Sequence, residues 1–148
     1  MEIADKGFIF SDDKNKIDIA AVHHFLSTSS YWAMGIPIET VAKSVKNSLC
    51  FGIYKDQRQV GFARWVTDGA TFAYLADVYV LEEFRGLGLS KSLMSLMMFH
   101  EELQGLRRYQ LATRDAHTLY QQYGFKALEQ PENSMAIVVK DAYLQKED

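Results

Sequence analysis

DVYVLEEFRGLGLSK, residues 77–91, is the stretch whose reading decides the fold. It opens on the end of a long, mostly apolar run, TFAYLADVYV at 71–80, of the kind that occupies the centre of a sheet. Two glycines, Gly86 and Gly88, then break the pattern. Leu89, Leu93, Leu96, Met97 and Leu103 come next at helical spacing, so the spacing predicts a helix that Gly105 stops. A strand, a glycine turn and a helix in this order place backbone N–H groups and the positive end of a helix dipole at one point, which suits a pyrophosphate. The glycines let the backbone approach phosphates and take positive φ. The segment is neither a Walker A loop, since GxxxxGK[ST] is absent, nor a dinucleotide fingerprint, since G-x-G-x-x-G fails at Lys91.

Working outward, 8–10 reads as a strand and 16–27 as a helix with Ile19, Val22 and Leu26 on one face. The stretch STSSYWAMGIP reads as a loop, and Ile38, Val41 and Val45 make a second helical stripe. LCFGIY at 49–54 and QVGFARWVT at 59–67 form a hairpin across KDQR, and Asp68-Gly69 is a turn signal before the central strand. Beyond the glycine segment, 107–112 is a strand. Asp115 is placed to cap a short helix with Ala116, Leu119, Tyr120 and Tyr123 on its inner face, and Gly124 ends it. Segments 125–128 and 134–139 read as closing strands. The expected order is βααβββαβαββ, an α/β fold whose mixed central sheet carries helices on both faces.

Composition fits this plan. The chain has 148 residues, 48% hydrophobic and 24% charged, enough for a single domain spanning 1–148. A net charge of −3 without a basic block argues against nucleic acid as partner. Cys50 is the only cysteine, which suits a reducing, cytoplasmic setting, and no apolar run or leader-like start predicts a membrane segment or signal peptide. His23, His24, His100 and His117 show no metal-ligand spacing, so no metal is expected.

The motifs resemble those of the GNAT superfamily of acetyltransferases. Arg85-Gly86-Leu87-Gly88-Leu89-Ser90 resembles its R-x-x-G-x-G/A acyl-CoA signature, with Ser90 where Gly or Ala is usual. Ala116-His117-Thr118-Leu119-Tyr120-Gln121-Gln122-Tyr123-Gly124-Phe125 resembles its second signature, A-x-x-L-Y-x-x-x-G-F, with Thr113 where Asn often leads it. The resemblance spans 8–139. It implies acetyl-CoA as co-substrate, with the backbone of Val78, Tyr79 and Val80 pairing with the pantetheine arm and residues Arg85 to Lys91 holding the pyrophosphate. It also implies that Tyr120 lies near the sulfur, where a phenol can protonate the leaving thiolate.

Asp77, the acid of the central strand, is the candidate to take the proton of the attacking amine, directly or through water. YLADVYV resembles polyamine-type strands, but Ala76 replaces their first acid. Tyr31 and Trp32 are candidates to wall the acceptor pocket. Arg64 and Trp65 are equally readable as packing residues, and Cys50 as a buried strand residue. The expected reaction is direct attack by a small-molecule primary amine on acetyl-CoA. A protein or peptide acceptor and a non-catalytic acyl-CoA-binding domain are the competing readings, and a homodimer is left open.

Overall fold

The computed structural model describes residues 1–144. Six strands form one sheet in the order β1 to β6: β1 (Glu2–Asp5), β2 (Phe8–Ser11), β3 (Leu49–Lys55), β4 (Arg58–Thr67), β5 (Phe72–Val80) and β6 (Arg108–Leu111). Neighbours are antiparallel except the last pair, β5 and β6, which are parallel. Four helices complete it: α1 (Ile19–Ser29), α2 (Ile38–Lys46), α3 (Leu89–Met98) and α4 (His117–Gln121). The mixed sheet and the helices on both of its faces are those the sequence predicts.

Each face has its own core. Against α1 and α2, the sheet buries Cys50, Phe62 and Tyr79 under Val22, Phe25, Leu26, Val41 and Val45. Against α3 and α4 it buries Phe51, Ile53, Ala63, Trp65, Ala73 and Leu75 under Leu89, Leu93, Met94, Met97 and Tyr120. Strand alternation accounts for most of this sorting. It breaks twice: in β4, Val60 sorts with Ala63 and Trp65 rather than with Phe62, where Ile53 opposes Gly61 and Tyr54 opposes Gln59, and in β5, Ala73 and Leu75 share a face with Val80 rather than with Tyr79. An extra residue in β5 causes the second switch: Phe62 opposes Tyr79 while Arg64 opposes Ala76, so two steps on β4 span three on β5. Asp77 absorbs it with φ +54, a left-handed conformation uncommon for a residue with a side chain.

Several expectations are corrected. A first strand, β1, pairs with β2 across Lys6 and Gly7, both at positive φ, a turn that lysine conceals from sequence reading. Helix α1 begins at Ile19 rather than at 16, because the Asp18 side chain accepts from Ala21 N and fixes the start there. Helix α3 ends at Met98, and Leu103 reaches the core from a separate single turn, so Gly105 does not end that helix. Asp115 does not cap α4; Thr113 Oγ1 instead accepts from Ala116 N at 3.1 Å. The connection before β5 is a loop over 68–71 tied by Asp68, whose Oδ1 accepts from the amides of Ala70 and Thr71, rather than a two-residue turn. Segments 125–128 and 134–139 form no strand, so the observed order is ββααβββαβα. Phe125 still packs on the core beside Tyr120, but the apolar residues of 134–139 are not withdrawn from water: Met135 and Ile137 are 97% and 96% exposed.

Candidate active site

The edge of β5 that faces β6 is only half used. Pairing runs from Phe72 with Arg108 to Leu75 with Leu111 and stops there. Beyond Leu75 the two strands part, and residues 76–80 keep their hydrogen bonds to β4 alone. The gap opens into a cleft of about 570 Å³ lined by Tyr74 to Val78, by 111–116, and by Tyr31, Trp32, Arg64 and Tyr120.

At the far end of the same edge lies the glycine loop. Val80, Phe84, Arg85, Gly86, Gly88, Leu89, Ser90 and Lys91 enclose a second cavity of about 290 Å³. Gly86 and Gly88 have φ +80 and +76, and Gly88 is the residue that opens α3. The first intrahelical amide bond is Ser92 N to Gly88 O, so the amides before it are free to meet an anion. Arg85 Nε donates to Val80 O at 3.0 Å, which ties the loop to the end of β5. The loop therefore fits a diphosphate by its donor set. Lys6, from the β1–β2 turn, adds a cation the sequence did not suggest: its Nζ donates to Leu87 O at 3.4 Å.

Asp77 sits on the cleft wall with both carboxylate oxygens engaged. Trp32 Nε1 donates to Oδ1 at 2.7 Å, and Arg64 Nε donates to Oδ2 at 2.6 Å. Arg64 also reaches Ser48 Oγ at 3.1 Å. The bulged residue is thus the knot joining β4, β5 and the α1–α2 loop. Tyr31 packs edge-on against Trp32 with ring centroids 4.9 Å apart. Across the cleft, the Arg114 guanidinium stacks 3.9 Å from the Tyr31 ring centre, and Arg114 N donates to Tyr31 Oη at 3.3 Å. These two contacts carry the loop over the mouth of the cleft.

Tyr120 is buried, and its ring meets Phe125 edge-on. Burial pushes its phenol up to about 12, with the charges of Tyr31 and Asp115 adding to the shift. It therefore stays protonated at any physiological pH. Tyr123 takes another role: its hydroxyl donates to Lys91 O at 2.8 Å and ties α4 to α3.

The family model of the acetyltransferase (GNAT) domain matches residues 46–127, which include the cleft lining apart from Tyr31 and Trp32, the glycine loop and Tyr120. The chain belongs to the GNAT acetyltransferase family. A candidate acetyltransferase of Gibberella zeae is 31% identical, over 76% of this chain and 75% of that protein. The crystal structure of a Xanthomonas campestris pv. campestris protein belonging to the GNAT family is 48% identical, covers 93% of this chain and 97% of its own, and superposes with a TM-score of 0.91. Glucosamine-6-phosphate N-acetyltransferase from Arabidopsis thaliana, at 16% identity and a TM-score of 0.61, shares the fold.

The structure gathers Asp77, Val78, Tyr31, Trp32 and Tyr120 around one cavity and Val80 with Arg85 to Lys91, save Leu87, around the other. Tyr79 is turned away, stacked on Phe25 at 4.0 Å, so only its backbone belongs to the β5 edge. Leu87 offers its carbonyl to Lys6 and leaves its side chain half exposed. Trp65, equally readable at first, is core: its Nε1 donates to Met97 Sδ at 3.3 Å. Arg64 and Arg114 belong to the cleft, and no local signal marks either, because each acquires its role through a partner more than ten residues away. Among the described residues no cluster suited to a metal ion forms, and no helix is long and apolar enough to cross a membrane.

Proposed function

We propose that this chain is an acetyl-CoA-dependent N-acetyltransferase of the cytoplasm, working as one domain on the primary amine of a small molecule. The observation that carries this reading is the unpaired β5 edge, which runs from the cleft to the glycine loop. An extended pantetheine arm takes the hydrogen bonds a neighbouring strand would take there, along Val78 to Val80. Its diphosphate meets the amides and cations of the loop from Arg85 to Lys91, and its thioester lies at the bulge. Acetyl-CoA supplies the activated acyl group. The protein supplies position and protons.

The amine enters past Tyr31 and Trp32 and loses its proton toward Asp77, directly or through water. Trp32 and Arg64 hold that carboxylate in place. Tyr120 donates a proton to the departing thiolate. Burial that raises the phenol raises the proton affinity of a thiolate in the same cleft, so the two remain matched. The stacked pair Tyr31–Arg114 closes the mouth, which favours a small acceptor over a polypeptide.

Tyr120→Phe tests the reading. It removes one hydroxyl and keeps the ring, and a positioned acid is worth roughly 100- to 10,000-fold. With water substituting in part, kcat should fall at least about 10-fold, while acetyl-CoA affinity stays level. Tyr123→Phe, which loses the hydroxyl's bonds to Lys91 O and Ser95 Oγ on α3, should keep its rate. Steady-state kinetics over an amine panel decide it, and full activity in Tyr120→Phe removes the tyrosine from the mechanism.

A further inference from the structure

The charged residues that line the catalytic cleft are Arg64, Asp77, Arg114 and Asp115. Arg64 and Asp77 neutralise one another, and Arg64 gives a further donor to Ser48. The other two are left over. Arg114 and Asp115 follow one another in the chain, yet neither forms an ion pair, with the other or with any of the described residues. The charge of Asp115 reaches the Tyr120 phenol, whereas Arg114 is held on the aromatic wall at the mouth. The cleft is therefore polarised, with acids toward the chemistry and a cation at the entrance.

Arg114 is not a loose surface cation. Its guanidinium lies 3.9 Å from the Tyr31 ring centre and its backbone amide donates to Tyr31 Oη at 3.3 Å, so both ends of the residue are fixed on one tyrosine. Stacking uses only the flat face of the group. Its N–H donors lie in the plane, and none of them makes a hydrogen bond among the described residues. A guanidinium held by its face with its edge free is preorganised for the bidentate bonds that a carboxylate or a phosphate accepts. Two rings set its distance from the chemistry. Tyr31 stands edge-on to Trp32 with centroids 4.9 Å apart, and Trp32 Nε1 donates to Asp77 at 2.7 Å. A molecule that meets Asp77 with its amine and Arg114 with an anion must carry the two several bonds apart.

We propose that the acceptor is a small amine with an anionic tail, a carboxylate or a phosphate ester several bonds from the nitrogen, and that Arg114 is the residue that selects it. This rests on the acetyl-transfer reading above and names its substrate class. The molecule enters amine first. Asp115 draws the ammonium inward, Asp77 takes its proton, and the tail stops at the mouth on the guanidinium edge. The charges left over in the cleft are then matched one for one. A diamine would set a like charge against Arg114, which disfavours it, and a neutral alkylamine would leave the guanidinium donors unused.

The test compares amines that differ only in the tail: ω-aminopentanoate with its amide, and aminopropyl phosphate with aminopropanol, with cadaverine as the cationic probe. The wild-type chain should favour the anionic member of at least one pair by about 10-fold in kcat/KM, mostly through KM, because Arg114 holds ground state and transition state alike. Arg114→Gln should bring that ratio to about one, and Arg114→Lys, which keeps the charge and loses the planar group, should fall between. Arg114→Glu should turn the preference toward cadaverine. Calorimetry should give all three variants the wild-type affinity for acetyl-CoA, which shows that a lost ratio is not a lost fold. A preference confined to one pair supports the proposal and assigns that anion as the tail. No preference in either pair overturns it, as does a ratio that survives Arg114→Gln or Arg114→Glu. An altered acetyl-CoA affinity places Arg114 in the other half of the site and also overturns it. Acetyl-CoA binding with no transfer to any of these amines or to the wider panel is a different failure, that of the transfer reading itself, and the proposal falls with it.

Discussion

Replacing Asp77 by alanine removes three things at once, and the structure allows each to be weighed. The ion pair with Arg64 is enclosed, with the two side chains 9% and 19% exposed, so its charge-assisted bond is worth about 1.5–3 kcal/mol. The bond from Trp32, whose residue is 43% exposed, adds about 0.5–1.5 kcal/mol. Alanine at φ +54 costs about 1 kcal/mol more, since its β-carbon crowds the following carbonyl and it lacks the local hydrogen bonding that lets Asp or Asn adopt this conformation. Asp77→Ala should therefore lose roughly 3–5 kcal/mol, a large share of the 5–15 kcal/mol typical of a domain. Asp77→Gly loses the same bonds without the backbone strain and should be the milder of the two. Asp77→Asn keeps a carbonyl acceptor and tolerates the left-handed conformation, so roughly 1–2 kcal/mol is expected. Urea unfolding at 25 °C measures all three, and a double-mutant cycle with Arg64→Leu should give a coupling above about 1 kcal/mol. Coupling near zero, or a glycine variant less stable than the alanine one, would refute the account of a strained bulge held by its side chain.

The glycine loop and the buried thiol give further outcomes. Gly88→Asp places a carboxylate at the start of α3 and a side chain at φ +76, so acetyl-CoA affinity by calorimetry should fall at least about 10-fold. Gly86→Ala meets no atom within 4 Å, so it should cost stability through its φ of +80 more than affinity. Burial pushes the Cys50 thiol up to about 11, so at pH 8 its thiolate is roughly 100-fold scarcer than in the unfolded chain. Aromatic disulfide reagents should label native protein correspondingly slowly and label it fully in urea.

The sequence by itself determined the parts in which local pattern and final environment agree. Glycines 86 and 88 between an apolar strand and an amphipathic stripe admit one arrangement, because positive φ and a helix start leave the chain little choice. Leu89, Leu93 and Met97 are buried as their spacing requires, and Tyr120 faces inward among its helix neighbours. Tertiary structure alone decided the parts that depend on distant partners. Asp77 reads as a lone acid in a strand; its conformation, and its hold on Trp32 and Arg64, arise from the extra residue in β5, and an insertion of one residue leaves no mark on an apolar run. The last two segments illustrate the converse. FKAL and SMAIVV carry strand propensity, yet a strand exists only where another supplies its hydrogen bonds. Residues 134–139 find none among the described residues of their own chain, since the packing of 139–144 on the α1–α2 loop holds them elsewhere.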